Sequence, residues 1–289
     1  MAIVLILTVA LVLLLAIDAH RDFNTGVFRF HPRSRVRPRM VSGIIGITLL
    51  STRGSAITWC AVCGLIILTM LPVTNSLIPA LTEDNATLQV IDELLPEGDV
   101  QSELIIYIFQ LVSILVAIAG ILPMVAYARE ERTHLIDSVR ATGVPRGAPL
   151  RAAVVASIVT VLTCAAAAAL AGLAGLGLQN SNGGDGVTVV LLASLSIIAQ
   201  TAPLVGSAVF FAGLGNRAIH LTWGPVVLAS TVSLLGPVLG LSRAQIDLSP
   251  LSHTLRSTGD GTMELAVSLA VGSALVLVGI FLGSRRDLV

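Results

Sequence analysis

The chain contains no lysine. All 17 of its basic residues are arginine, so a phosphate-binding loop of the G-x-x-x-x-G-K-[ST] type cannot form, and a nucleotide hydrolase of that class is excluded. The glycine cluster Gly183-Gly-Asp-Gly186 lacks that lysine and reads as a loop between two apolar runs. Charge is scarce: 12% of residues are charged and 55% hydrophobic, far from the soluble range and typical of polytopic membrane proteins. The formal net charge is zero, so overall charge points to no partner, nucleic acid included. Cysteine is limited to Cys60, Cys63 and Cys164, all inside apolar runs. Cys60-x-x-Cys63 has redox or metal spacing, but without a second pair or a nearby histidine it reads as small packing residues. The histidines, His20, His31, His134, His220 and His253, are scattered over span ends and loops, so no metal site is assigned.

What the chain has is length of apolar sequence. A span needs roughly 20 apolar residues to cross about 30 Å of hydrocarbon. Runs that qualify lie at about 2–17, 55–78, 104–127, 152–178, 187–214, 221–241 and 264–283. The fold class expected is therefore all-α and polytopic, with about seven transmembrane helices. The first run has no basic segment before it, and Asp18-Ala-His-Arg21 makes a poor cleavage site, so it reads as a span and not as a signal peptide. Arginine placement sets the orientation. Loop 18–54 carries seven arginines and loop 128–151 five, with Arg217, Arg285 and Arg286 on the same side; the opposite loops hold Arg243 and Arg256, and loop 79–103 has seven acids and no base. The expected topology in the plasma membrane has the N-terminus outside and the C-terminus cytoplasmic. Residues 40–54 suit an interfacial helix whose arginines meet headgroups. Asp84 and Asn85 can cap a further helix in 80–96, with Leu88, Ile91, Leu94 and Leu95 on one face.

No Asp, Glu, Arg or His falls near the middle of any expected span. Ion- or proton-coupled carriers usually place charge there, so a secondary carrier is disfavoured. A hydrolase is weaker still, because no Ser/His or paired-Asp set lies at membrane depth. Gln110 and Gln200 are the strongly polar residues near mid-span; each could line a substrate path or be satisfied by a neighbouring helix. Pro203, Pro225 and Pro237 fall within spans and Pro123 near a cytoplasmic end, where each permits a kink. Ala168, Ala171, Gly172, Gly175 and Leu176, and again Gly236 and Gly240, give the small-residue spacing that lets helices approach closely.

The most informative stretch is the charged one between two spans, Arg129 to Arg151. Within 129–142, Leu135, Ile136 and Val139 form an apolar edge, while Glu130, Glu131, Asp137 and Arg140 are polar. Gly143 and Pro145 end the helix and turn the chain toward the next span. Glu130-Glu131, Asp137 and Ala141-Thr-Gly-Val-Pro-Arg146 resemble the coupling-helix segment of ABC-2 type exporter permeases, in particular polyketide-antibiotic exporters, which read E-E-x-x-G-R-x-E-L-L-L-A-T-P-V-S-R. Here His134-Leu135 replace Gly-Arg, and the proline is displaced from the Gly143 position to Pro145. Leu234-Leu-Gly-Pro-Val-Leu-Gly-Leu241, Asp247-Leu-Ser-Pro-Leu-Ser-His253 and Ser284-Arg-Arg-Asp-Leu288 are similar to three further blocks of that family, in the same order.

The resemblance implies a transporter subunit, not an enzyme, that exports a hydrophobic or amphiphilic compound, with drugs and antibiotics in view. ATP and Mg would be bound by a separate ABC ATPase docked on 129–146, and no cofactor by this chain. The ATPase contacts implied are Glu130, Glu131, Asp137, Arg140 and Arg146, with Gly143 and Pro145 shaping the turn; Gln110 and Gln200 head the residues of a substrate path. Ala19-His-Arg-Asp-Phe23 echoes Ser284-Arg-Arg-Asp-Leu288. By comparison with permeases of two six-span halves, residues 1–39 correspond to the tail of a first half and 40–289 to a complete second half. The partner expected in the bilayer is then a first-half permease chain or a second copy of this one. The competing reading is a membrane assembly or sensing subunit whose working surface is the acidic loop 79–103.

Overall fold

In hydrocarbon no water is available to the backbone, so apolar runs satisfy their own amides by forming helices. The computed structural model describes residues 43–82, 100–133, 135–136, 143–145, 147–178, 184–215, 217–236, 238–255 and 261–285, all within the unit Val41–Val289. In chain order these form α1 (Ile44–Thr82), α2 (Val100–Arg132), α3 (Ala148–Leu178), α4 (Gly184–Leu214), a 3-10 helix η1 (Ala218–Thr222), α5 (Trp223–Leu235), the single turn α6 (Arg243–Ile246) and α7 (Thr262–Arg285). Among the described residues there is no strand. Six segments, with η1 and α5 counted as one, are long and apolar enough to cross a membrane. The chain is an all-α, multi-pass membrane protein. The first expected span, the linker after it and the helix in 83–96 lie outside the described residues.

Helices α2 and α4 bury 61% of their spanning stretch and α3 half, against 17% for α1 and 22% for α7. The first three form the centre, and α1 and α7 flank it. Phe109, Val112, Val116 and Ile121 of α2 meet Cys164 and Ala168 of α3 and Ile197, Ala208 and Val209 of α4 in one continuous core. The small residues of α3 allow this approach. A Cβ on Gly172 would stand 3.1 Å from the Phe109 ring, and one on Gly175 3.1 Å from Leu71 of α1.

The closest approach is between α4 and α7. A Cβ on Gly206 would lie 2.6 Å from the Gly272 carbonyl oxygen, and one on Gly279 2.6 Å from that of Val209. Gly213 faces Gly279 in the same way, and Gly272 faces Ala202. Real Cβ atoms do not come so close, so this contact is backbone on backbone and only glycine fits it. The pattern is Gly206 and Gly213 on one helix, Gly272 and Gly279 on the other, a seven-residue period on both.

Two segments differ from the expectation. Residues 44–82 are one helix of 39 residues, not an interfacial helix followed by a separate span. Thr48, Ser51 and Thr52 bond back to carbonyls of their own helix and do not cap a new one. At about 58 Å, α1 exceeds the hydrocarbon thickness, so its first turns with Arg53 can sit at headgroup level. The span expected over 221–241 ends at Leu235. Gly236 caps α5, Gly240 takes a positive φ of 68°, and both stand outside any helix, so they form no helix seam. Pro225 falls in the first turn of α5, where a missing N–H is tolerated, and Pro123 and Pro203 lie inside α2 and α4.

Gly279→Leu should drive α7 away from α4 and destabilise the bundle by about 1–3 kcal/mol or more. Gly224→Ala, which has open space around it, should be neutral or stabilising by up to ~1 kcal/mol. Thermal melting of the detergent-solubilised chain, followed by size exclusion, checks the contrast; equal melting of the two variants contradicts the seam.

Candidate functional site

At one end of the bundle, α2 continues from the apolar core straight into Arg129-Glu-Glu-Arg132 without a break. Arg129 and Arg132 in the last turn complement the partial negative charge of a helix C-terminus, whereas Glu130 and Glu131 oppose it. Glu130 is exposed and Glu131 half-buried. The two residues that follow diverge: Leu135 is 59% exposed and Ile136 3%. Ile136 joins the core, so the two do not share an apolar edge, as expected for adjacent helical residues about 100° apart. Gly143 has φ of 85°, and the Pro145 carbonyl accepts from the Ala148 amide at 2.8 Å, which starts α3. Both Gly143 and Pro145 are exposed. Asp137, Arg140 and Arg146 lie outside the described residues.

Neighbouring elements meet this end. Arg132 donates from Nη2 to Nε2 of His220 at 2.7 Å, tying α2 to η1. Gly147 packs against Ser284 of α7, and the Arg285 guanidinium lies 4.3 Å from the centre of the Phe281 ring. Arg129, Arg132, Arg151, Arg217 and Arg285 thereby occupy the same face.

The second polar constellation follows α5, whose 13 residues continue η1 to complete that span. From Gly236 the chain turns back, and it is held by the Ser196 and Gln200 side chains of α4 and by a backbone carbonyl of α5. Ser249 donates to the Ala229 carbonyl at 3.0 Å. Ser196 accepts from the Leu255 amide at 2.9 Å. Gln200 donates from Nε2 to the His253 carbonyl at 2.6 Å and to Thr254 Oγ1 at 2.9 Å. His253 in turn donates from Nε2 to the Asp247 carbonyl at 2.8 Å, closing a loop within the segment. Residues 242–245, 247 and 248 are exposed, and the buried part of the segment is Ser249, Leu251 and Leu255. Leu251 and Leu255 are buried, and a cavity of about 770 Å³ opens beside the segment, apolar at Pro203, Val267 and Val271, with Asp247 and Glu264 among its lining residues.

Of the two glutamines, Gln110 of α2 donates to Ser233 of α5, linking the lightly packed α5 to the core. Gln200 is 1% exposed and anchors the re-entrant segment; its Oε1 is buried without a partner among the described residues. Neither lines the cavity. The partners Ser196, Ser233, Ser249 and Thr254 are not apparent from sequence patterns. The available signal was the block Asp247–His253, whose polar residues are too closely spaced for a span.

A bundle of six apolar helices with a cavity at its side defines the class: a multi-pass all-α membrane domain. Residues 41–282 match the family described as the C-terminal domain of the multidrug efflux system permease Rv1217c, and the chain belongs to that family. Comparison with curated proteins gives no match. The domain is a transporter permease subunit rather than an enzyme.

Gln200→Leu removes two hydrogen bonds and leaves the His253 carbonyl unpaired, which should cost about 1–3 kcal/mol. The loss should be local. Hydrogen exchange at 247–255 should rise in the variant while the amides of α2 and α3 stay protected; unchanged exchange removes the anchoring role.

Proposed function

We propose that this domain is the membrane part of an ATP-driven ABC exporter of the ABC-2 type, which moves a hydrophobic or amphiphilic compound out of the cell. ATP and Mg are bound on a separate ATPase subunit that docks on 129–146. The carrying observation is the unbroken run of α2 from the buried centre into the two acids of its last turn. Acids at a helix C-terminus are each unfavourable by about 0.3–1 kcal/mol, and a docking surface gives them a use. Because the segment leads directly into α2 and, through Gly143 and Pro145, into α3, a push on it reaches the two helices that hold the core. Glu130, Glu131, Asp137, Arg140 and Arg146 are the polar contacts, with the resemblance to ABC-2 coupling helices as further support.

Orientation follows the arginines: the face bearing Arg129, Arg132, Arg151, Arg217 and Arg285 is cytoplasmic. The cavity beside Pro203 then faces outward, and its apolar wall with an acidic rim suits an amphiphile in transit. A family described as a C-terminal domain calls for a first-half permease domain or a second copy as its partner in the bilayer. Nucleotide closure and substrate must favour different states for such a cycle to run.

Charge reversal, Glu130→Arg with Glu131→Arg, should abolish copurification of an ATPase subunit and ATP-dependent export while membrane insertion stays normal. Tagged chain purified in mild detergent, with copurifying proteins identified and ATP hydrolysis measured, reads this out. Undiminished association in the reversed variant removes the coupling role.

A further inference from the structure

The chain has three cysteines in 289 residues, and the fold brings all three together. Cys60 and Cys63 are one turn apart on α1, and Cys164 comes from α3 on the facing side. Cys60 Sγ lies 3.5 Å from Cys164 Sγ, and Cys63 is also in hydrogen-bonding reach of Cys164. Cys60 lies seven residues, about 10 Å, along α1 from Arg53, and Cys164 lies 13 residues, about 20 Å, along α3 from Arg151. Cys63 and Cys164 are fully buried, whereas Cys60 is half-buried at the edge of the pair. The surroundings are largely apolar, in the core cluster that includes Ala168 and Ala171 of α3, with Thr163 in hydrogen-bonding reach of Cys60. Packing alone calls for small residues here, which alanine supplies elsewhere on α3; it does not call for every thiol of the chain at one point.

We propose that Cys60 and Cys164 form a reversible redox-modification site, a disulfide that joins α1 to α3 when a peroxide dissolved in the membrane oxidises Cys60. The oxidant class is an organic hydroperoxide such as a peroxidised acyl chain. Cys60 Sγ attacks the outer peroxide oxygen, the O–O bond breaks, and the thiol proton leaves with the alkoxide as an alcohol, giving a sulfenic acid. Cys164 Sγ then attacks the Cys60 sulfur; the S–S bond forms and the hydroxyl departs with the Cys164 proton as water. Two electrons pass from the two sulfurs to the peroxide. Exposure selects Cys60 as the entry point, and proximity selects Cys164 as its partner. A bond at this depth is remote from water-soluble thiols, so it persists until a membrane-permeant reductant arrives. The cross-link pins α1, the least buried helix, to the core. The inference does not depend on the exporter reading, because it is tested without an ATPase or transport.

Membranes containing the full chain are treated with cumene hydroperoxide, blocked with N-ethylmaleimide under denaturing conditions, digested and analysed by mass spectrometry, with metal content measured on an untreated sample. The expected result is loss of maleimide labelling at Cys60 and Cys164, retention at Cys63, a Cys60–Cys164 linked peptide pair, and full recovery after a permeant phosphine. Cys63→Ser should leave the linkage intact, and Cys60→Ala should slow the loss of Cys164 labelling sharply. Retained labelling of all three thiols overturns the proposal. So does oxidation of Cys60 to a sulfonic acid without linkage, or a stoichiometric soft metal ion held by the three thiols in the untreated protein.

Discussion

The bundle depends on the contact between α4 and α7, where two backbones touch with no side chains between them. Association of helices in lipid has no help from the hydrophobic effect, because lipid tails are as apolar as leucine; close packing has to supply it. Glycine at 206, 213, 272 and 279 lets dispersion act over the full helix surface and fixes the register of α7. Because α7 forms a wall of the cavity and ends beside Gly147, that register sets both the cavity end and the arginine-bearing end of the domain.

The re-entrant segment shows the same economy from the polar side. The segment after α5 satisfies part of its backbone through its own turns, Asp247 to Arg243 and Ser249 to Ile246 among them, and leaves the rest to side chains. Ser196, Gln200 and Ser249 supply the missing partners, one bond at a time. The outcome is a stretch of backbone held to the helices beside it by a few side-chain hydrogen bonds.

How much was legible in the sequence varied with how local the cause is. Hydropathy and length gave four of the six described spans to within a few residues, because burial in lipid is a property of a single run. The merging of 44–54 with the next span was not legible, since a stretch ending in Ser51, Thr52 and Arg53 reads as interfacial, and only the bonds of Ser51 and Thr52 within the helix show that it continues. Leu234–Leu241 is apolar enough to span, yet Gly236 ends α5; the decisive fact is that Ser249, 13 residues later, returns to Ala229. The hydrogen-bond partners of Gln110 and Gln200 were hidden for the same reason, being side chains on other helices. The glycine seam at 206, 213, 272 and 279 was not read from the sequence, because a seven-residue spacing has meaning only once the two helices are known to be neighbours. The acids Glu130 and Glu131 were singled out from the charge pattern, and their position at the end of α2 is a structural fact that the pattern did not contain.

The absence of lysine acquires a meaning on the arginine-bearing face. A guanidinium keeps its proton at any pH a membrane withstands, so the charges of Arg129, Arg132, Arg151, Arg217 and Arg285 form a permanent collar. Acetylation, the usual means of erasing a basic charge, has no amine side chain to act on. Among the described groups at that end His220 accepts from Arg132, so the collar is tied to η1 as well. The basic character of this end of the domain is thus written into its covalent structure.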